Sequence, residues 1–354
     1  MIAWTRIASH GALLLCAAVF LLFGMRTTAR AQRIPDPGLH MMIREGINHS
    51  GAQDYTAALR VFDRAIRAYP AHPAGYLNKA ILLMVMSLDF ETPVRMPEYL
   101  DLLDTVDRLG EQLAQDPGTA AEGLYYRGMA RSYRAYYEFR DGEDWLAGLS
   151  QGMKATGFLE DALAKHPKAY DAMTGVGTYK YWKSRNMSFL TWTTIVSDER
   201  AEGIRLLRRA ERQADYSAQQ ATNSLIWIFI EEERWNDAIR TANTILRRYP
   251  RNRLFLWGLA SAAEGKEDWA LARRAYERIV ASLDTEVKER RYIEIQARAK
   301  IASMSHALGD RDTARRECLW VLRQRGIDLS GFTTDGADRI TRRIEEMEEL
   351  RDEL

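Results

Sequence analysis

The strongest order in the chain is a recurring pattern of small and apolar residues spaced four, three and five apart. Ala58, Phe62, Ala65 and Pro70 carry it near the start, and Ala238, Ala242, Ile245 and Pro250 carry it again. Gly203, Leu207 and Ala210 show the same spacing, as do Ala272, Tyr276 and Ile279, and then Ala314, Cys318 and Val321. Steps of three and four return to one face of a helix, so each group predicts an amphipathic helix with a small residue at its buried crossing point. Ala238 and Ala272 are 34 apart, and Gly203 precedes Ala238 by 35. A companion set of helices has its own small residues, with Gly46 and Ala80 again 34 apart and Ala260 twelve before Ala272. Tyr69-Pro70, His166-Pro167, Tyr249-Pro250 and, less distinctively, Asp116-Pro117 end helices, because proline lacks an N–H and disfavours helix in the residue before it. No run alternates with the period of a strand. The pattern predicts an all-α chain of about seven helix pairs between residues 38 and 325. A charged helix over 335–354 follows, with Ile340, Ile344 and Met347 on one side, as suits a cap on a helical stack.

A 34-residue helix pair with small crossing residues and a closing proline resembles the tetratricopeptide repeat. The resemblance implies a right-handed α-solenoid whose first helices line a concave side. In that register Asn223, Trp227, Glu231, Trp257, Ser261 and Glu264 point inward. Members of the family that grip a peptide carboxylate do so with lysine, arginine and asparagine at such places. Here only Asn223 matches in type, so that clamp is not supported. Trp227 and Trp257 read either as anchors for a partner or as packing between repeats, since tryptophan serves both roles.

Two departures from the repeat stand out. Between Gly177 and Gly203 lie 26 residues where the pattern expects twelve, which predicts an inserted loop over 184–198. It is unusually apolar, with Phe189, Leu190, Trp192 and Ile195. The helix before it, from Tyr170 through Gly175, Gly177, Tyr179, Tyr181 and Trp182, and the Gly203 helix after it resemble bacterial relatives of the tetratricopeptide-39 group over about residues 168–282. That group implies a repeat scaffold more than an activity. The second departure is a crowd of aromatics at Tyr125, Tyr126, Tyr133, Tyr136, Tyr137, Phe139 and Trp145. These read as core or, with Tyr179, Trp182, Phe189 and Trp192, as the wall of a pocket near residues 125–192 for a small molecule, lipid or glycan.

The first residues change the picture from a soluble chain to an exported one. Arg6, the apolar run from Gly11 to Met25 and Ala29-Arg30-Ala31 form the order of a secretory signal peptide over 1–31. An uncleaved signal anchor is the alternative reading, and residues 32–37 link the leader to a single domain over 38–354. Cys16 lies within the apolar run without the small residues expected before a lipidated site. Loss of the leader removes three arginines and no acid, so the net charge moves from +1 to about −2. A total so near zero gives no electrostatic case for nucleic acid, and membrane association is limited to a peripheral or anchor mode. Only Cys318 remains outside the leader, so no internal disulfide and no paired-cysteine metal or redox motif is expected.

No two histidines stand at helical spacing, and neither HExxH, a P-loop nor a nucleophile elbow occurs. Gly175-Val176-Gly177 lacks both the preceding strand and the third glycine of a dinucleotide fingerprint. Hence no catalytic residue, metal or cofactor is expected. The terminal Arg351-Asp352-Glu353-Leu354 resembles a retention signal but ends a charged helix, where such a tetrapeptide arises easily. The expectation is an exported scaffold in the periplasm or envelope of a bacterium, holding a protein partner in its groove. The alternative is a module that encloses a ligand in the aromatic pocket.

Overall fold

The computed structural model describes residues 34–140, 145–186, 197–283 and 290–354. The leader, the 187–196 part of the insertion with Phe189 and Trp192, and the side chains of Phe139 and Trp145 lie outside the described residues. Among the described residues there are fifteen helices and no strand. They run as pairs: α1 (Pro37–Gly51) with α2 (Tyr55–Ala68), α3 (Pro73–Phe90) with α4 (Met96–Ala114), and α5 (Ala120–Arg140) with α6 (Trp145–Lys165). Next come α7 (Tyr170–Asn186) with α8 (Arg200–Gln213), α9 (Ala218–Glu231) with α10 (Trp235–Leu246), and α11 (Arg253–Gly265) with α12 (Trp269–Ala281). The last pair is α13 (Arg290–Ala307) with α14 (Arg311–Leu322), and α15 (Thr334–Glu353) packs across both. Each helix packs on the next in the chain, the arrangement of a solenoid.

The turn between the helices of a pair has a repeated chemistry. Asp54, Asp268 and Asp310 each cap the second helix, accepting the N–H three residues on at 3.0, 3.0 and 3.2 Å. The residue before each cap is left-handed: Gln53, Glu267 and Gly309 have φ of 62°, 60° and 76°. Glu233 takes the same conformation in the α9–α10 turn, with φ 56°. Only Gly309 adopts it without a Cβ penalty. Glu267→Gly is therefore expected to raise stability by about 0.5–1 kcal/mol, read as a higher urea midpoint with unchanged slope.

The small residues do what their spacing predicts. A Cβ on Gly46 would stand 2.6 Å from the ring tip of Phe62, and one on Gly203 would stand 2.6 Å from the Gly177 carbonyl oxygen. Second helices such as α2 and α8 bury one face, whereas α3 buries thirteen of its eighteen residues and α13 buries eleven of eighteen. The reason is that α3 packs against α13 as well as its own neighbours. The solenoid closes on itself.

Polar contacts seal that closure. The Ile34 N–H donates to the Tyr216 hydroxyl at 3.0 Å, and His40 Nδ1 lies 2.7 Å from the same oxygen. Tyr249 donates to Asn48 Oδ1 at 2.8 Å, and Asn252 Nδ2 to the Gly51 carbonyl at 2.8 Å. Arg253 Nε meets Asp89 Oδ1 at 2.9 Å, and Arg339 Nη1 meets Glu91 Oε1 at 3.2 Å. Thus α1 and the end of α3 lie along the starts of α9, α11 and α15. At the centre, Asp171 accepts the N–H groups of Tyr216 and Ser217 at 2.9 and 2.7 Å. Burial pushes its carboxyl above the usual carboxylate range despite these bonds.

Candidate functional site

The candidate site is built on α7, α9 and α11, which lie side by side. Thr178 on α7 and Ser224 on α9 share a hydrogen bond of 3.1 Å. A Cβ on Gly258 of α11 would stand 2.6 Å from Ile226 Cγ2 of α9, so small residues again set how closely the helices approach. Gln220, Asn223 and Trp227 follow one another at helical spacing on α9 and form a stripe. Trp227 is 38% exposed, the most open tryptophan among the described residues. The side-chain oxygens of Gln220 and Asn223 are shielded from solvent and meet no hydrogen-bond partner among the described residues.

The α11 stripe differs in kind. Trp257 occupies the repeat position of Asn223, and Ser261 that of Trp227. The Trp257 ring packs edge-on against Tyr276, 5.3 Å between centroids. The Tyr276 hydroxyl hydrogen-bonds Glu264, which also takes Lys300 at 2.6 Å. Burial, then the Glu264 charge, pushes the Tyr276 phenol well above its usual value. Trp257 and Ser261 thus border a packed polar cluster, while Trp227 is open to solvent and the Asn223 oxygen has no hydrogen-bond partner among the described residues. The two tryptophans that the sequence offers as equivalent are separated by their surroundings.

On α7, Tyr179 and Trp182 are half-buried. The Lys183 ammonium lies 5.9 Å from the Tyr179 ring centre, and Trp182 stands edge-on to Tyr181 at 5.2 Å. Tyr181 is fully buried, its phenol pushed up to about 12 by burial and then by Glu232 and Glu231. Arg185 pairs with Glu231 at 2.5 Å, joining the ends of α7 and α9 one turn beyond Trp227. The base of the insertion is pinned here as well. Ser184 Oγ accepts the Glu199 N–H at 2.9 Å, and the Glu199 carboxylate takes Lys180 at 2.5 Å and Lys183 at 3.6 Å. The Lys180 ammonium holds the Glu199 carboxyl below its usual range. The chain leaves and re-enters the solenoid at one point.

The aromatic crowd divides. Tyr125 and Tyr126 are buried, with ring centroids 5.1 Å apart, and Tyr126 packs edge-on to His72. These are core. Tyr133 and Tyr137 are half-buried, and Tyr136 is open to solvent. Tyr99, fully buried, donates to the Tyr133 carbonyl at 2.7 Å and stacks at a tilt on Tyr137. An open groove of about 580 Å³ is found elsewhere, along α1, lined by His40, Met41, Arg44, Glu45, Asn48 and His49. No group of three or more metal-ligating side chains occurs among the described residues, and none of the described helices is long and apolar enough to cross a membrane.

The family model of the tetratricopeptide repeat matches residues 43–85 and 223–286. The chain carries tetratricopeptide repeats. The two matched stretches hold most of the first pair and of α3, and the Asn223–Trp257 stripe. Among solved structures, a tetratricopeptide repeat protein from Parabacteroides merdae is 13% identical, with 88% of this chain and 100% of that one covered and a TM-score of 0.39. An IFIT1 monomeric mutant with Gppp-AAAA is 16% identical, with 84% and 66% covered and a TM-score of 0.32. The P58(IPK) TPR domain is 13% identical, with 87% and 99% covered and a TM-score of 0.24. At these scores the likeness carries no argument about function. Among curated proteins none matches the chain. Tetratricopeptide repeats form a protein-interaction scaffold, stacking helix pairs into extended binding surfaces.

Proposed function

We propose that the chain is an exported scaffold of a bacterial envelope that holds a partner protein on the α9–α11 face. The observation that carries this is Trp227, an open tryptophan one turn after Asn223, whose shielded amide oxygen has no partner among the described residues. A large open ring is what a partner's side chain would cover, and such anchors concentrate binding energy. The leader supports export through its order of Arg6, an apolar run and Ala29-Arg30-Ala31. Tyr125 and Tyr126 belong to the core, so among the described residues the ligand-pocket alternative draws on the half-buried rings of α5 and α7.

Two substitutions test the reading. Trp227→Ala is expected to weaken capture of the envelope partner at least about ten-fold with no change in melting temperature. Trp257→Ala, which strips the Tyr276 contact, is expected to lower stability by about 2 kcal/mol. Pull-down from envelope extract and thermal melting of the same preparations read both. Undiminished capture by the Trp227 variant would remove this face as the binding site, and a small molecule co-purifying without a protein would favour the pocket.

A further inference from the structure

The outer helices of the solenoid carry a ladder of arginines. Take the small residue at which each such helix crosses its partner: Ala58, Gly203, Ala238, Ala272 and Ala314. Two positions on, the residue is arginine every time, at Arg60, Arg205, Arg240, Arg274 and Arg316. Nine positions on, arginine recurs at Arg67, Arg212, Arg247 and Arg323. At 100° per residue both places face away from the buried side, and all nine of these residues are exposed. An outermost helix position is ordinarily charged, but with either sign. Here one sign repeats from unit to unit. The exposed face of α4 instead carries Asp101, Asp104 and Glu111 beside a single arginine, Arg108, and α15 ends acidic. The net charge of +1 therefore conceals two segregated fields.

The ladder is only partly neutralised. Arg205, Arg240 and Arg316 pair with Glu202, Asp237 and Glu317 on their own helices. Arg67, Arg212, Arg274 and Arg323 have no carboxylate partner among the described residues. Neighbouring rungs are continuous, since Arg278 of α12 donates to the Pro250 carbonyl at 3.0 Å, beside Arg247. The face also continues onto α1, where Arg44 lies 3.5 Å from Asp215 and Arg248 donates to Asn48 at 2.9 Å. Met41, 64% exposed, stands one position short of a turn before Arg44 on the same helix.

We propose that this arginine face docks on an anionic phospholipid surface. Guanidinium groups bind phosphate oxygens through two parallel N–H bonds, and rows of them suit a sheet of phosphate headgroups. The choice of a bilayer over other polyanions rests on the alternative reading of the leader as an uncleaved signal anchor. The apolar run ends at Met25, nine residues before Ile34, whose N–H is fixed to Tyr216 just beyond Arg212. Nine residues span at most about 30 Å, so a bilayer that holds the run lies within reach of the ladder's first rungs. Met41 can enter the headgroup layer beside Arg44.

The test is sedimentation of the full chain with vesicles of phosphatidylglycerol and phosphatidylcholine, about one to two, against phosphatidylcholine alone. The leader partitions into both, so the difference between them reads the ladder. At about 0.05 M salt the anionic vesicles are expected to bind at least about ten-fold tighter. At about 0.5 M salt, where the Debye length shrinks to a few ångström, the preference is expected to vanish. The combined variant Arg205→Glu, Arg240→Glu and Arg274→Glu is expected to bind both vesicles alike. Equal binding of the two vesicles by the unaltered chain would overturn the proposal, as would a preference that survives the charge reversal in a variant with unchanged melting. Tighter capture of DNA or polyglutamate than of anionic vesicles would overturn it too. Trp227-dependent capture measured in parallel separates this outcome from failure of the scaffold reading.

Discussion

Replacing Asp89 by alanine is expected to lower the stability of the folded chain by about 3–5 kcal/mol, the largest effect of any single side chain in the seam. Asp89 and Arg253 are 164 residues apart and both buried, with Arg253 Nε 2.9 and 3.1 Å from the two carboxylate oxygens. Around them, Tyr55 donates to Asp89 at 2.9 Å, and the Arg253 N–H donates to Gln53 Oε1 at 3.2 Å. Burial, then the Asp89 charge, holds the Tyr55 phenol well above its usual value. Removing the carboxylate leaves a guanidinium in a space that water does not reach, and its desolvation cost is no longer offset by an opposite charge. The pair itself adds little beyond what apolar packing would give. Asp89→Leu combined with Arg253→Met is therefore expected to recover most of the loss. Urea unfolding of the three variants reads both statements. A loss below about 1 kcal/mol for Asp89→Ala would mean that the first and later repeats do not share this contact in solution.

The second large effect lies at the α7–α8 crossing. Gly203→Ala is expected to cost about 3 kcal/mol, because the added methyl would stand 2.6 Å from the Gly177 carbonyl oxygen and 3.0 Å from the Tyr181 nitrogen. Both neighbours are backbone, so the helices must move apart rather than a side chain swing aside. The displacement would loosen Tyr181 and the Ser184–Glu199 bond that pins the insertion. Faster proteolysis between 184 and 199 is thus expected alongside the lower urea midpoint. Gly157→Ala is the contrast, since its Cβ would meet nothing within 4 Å on an exposed face of α6. There the substitution is expected to stabilise by about 0.5–1 kcal/mol through helix propensity alone. If the two alanines behaved alike, the close crossing would be absent.

These effects mark what the sequence makes legible. The crossing glycines and alanines are readable because a small residue at fixed spacing has one packing consequence, and Gly46 against Phe62 or Gly203 against Gly177 follows from it. The family assignment comes from the same ladder. Closure was not readable, because Asp89, Glu91 and Arg253 look like ordinary solvated helix ends until the chain brings them together. Their contacts reach across 164 to 248 residues, and no local pattern announces a single ion pair. Trp227 and Trp257 illustrate the same limit within the site. They share a plausible role by type, but only the Tyr276 ring beside Trp257 separates an engaged side chain from an open one. The arginine ladder is legible in the repeat register, but the near-neutral total charge conceals it.

This helical solenoid closes, with its first pair seated on the starts of α9 and α11. Spin labels at Ala52→Cys and Arg247→Cys, in a Cys16→Ala, Cys318→Ala background, measure this closure most directly by pulsed dipolar spectroscopy. The two labelled sites flank the Gly51–Asn252 and Asn48–Arg248 contacts, which are 2.8 and 2.9 Å long. The closed chain is expected to give one narrow, short-distance population, which broadens when Asp89 is replaced by alanine. A broad or long distribution in the unaltered seam would show an open superhelix and contradict the closure.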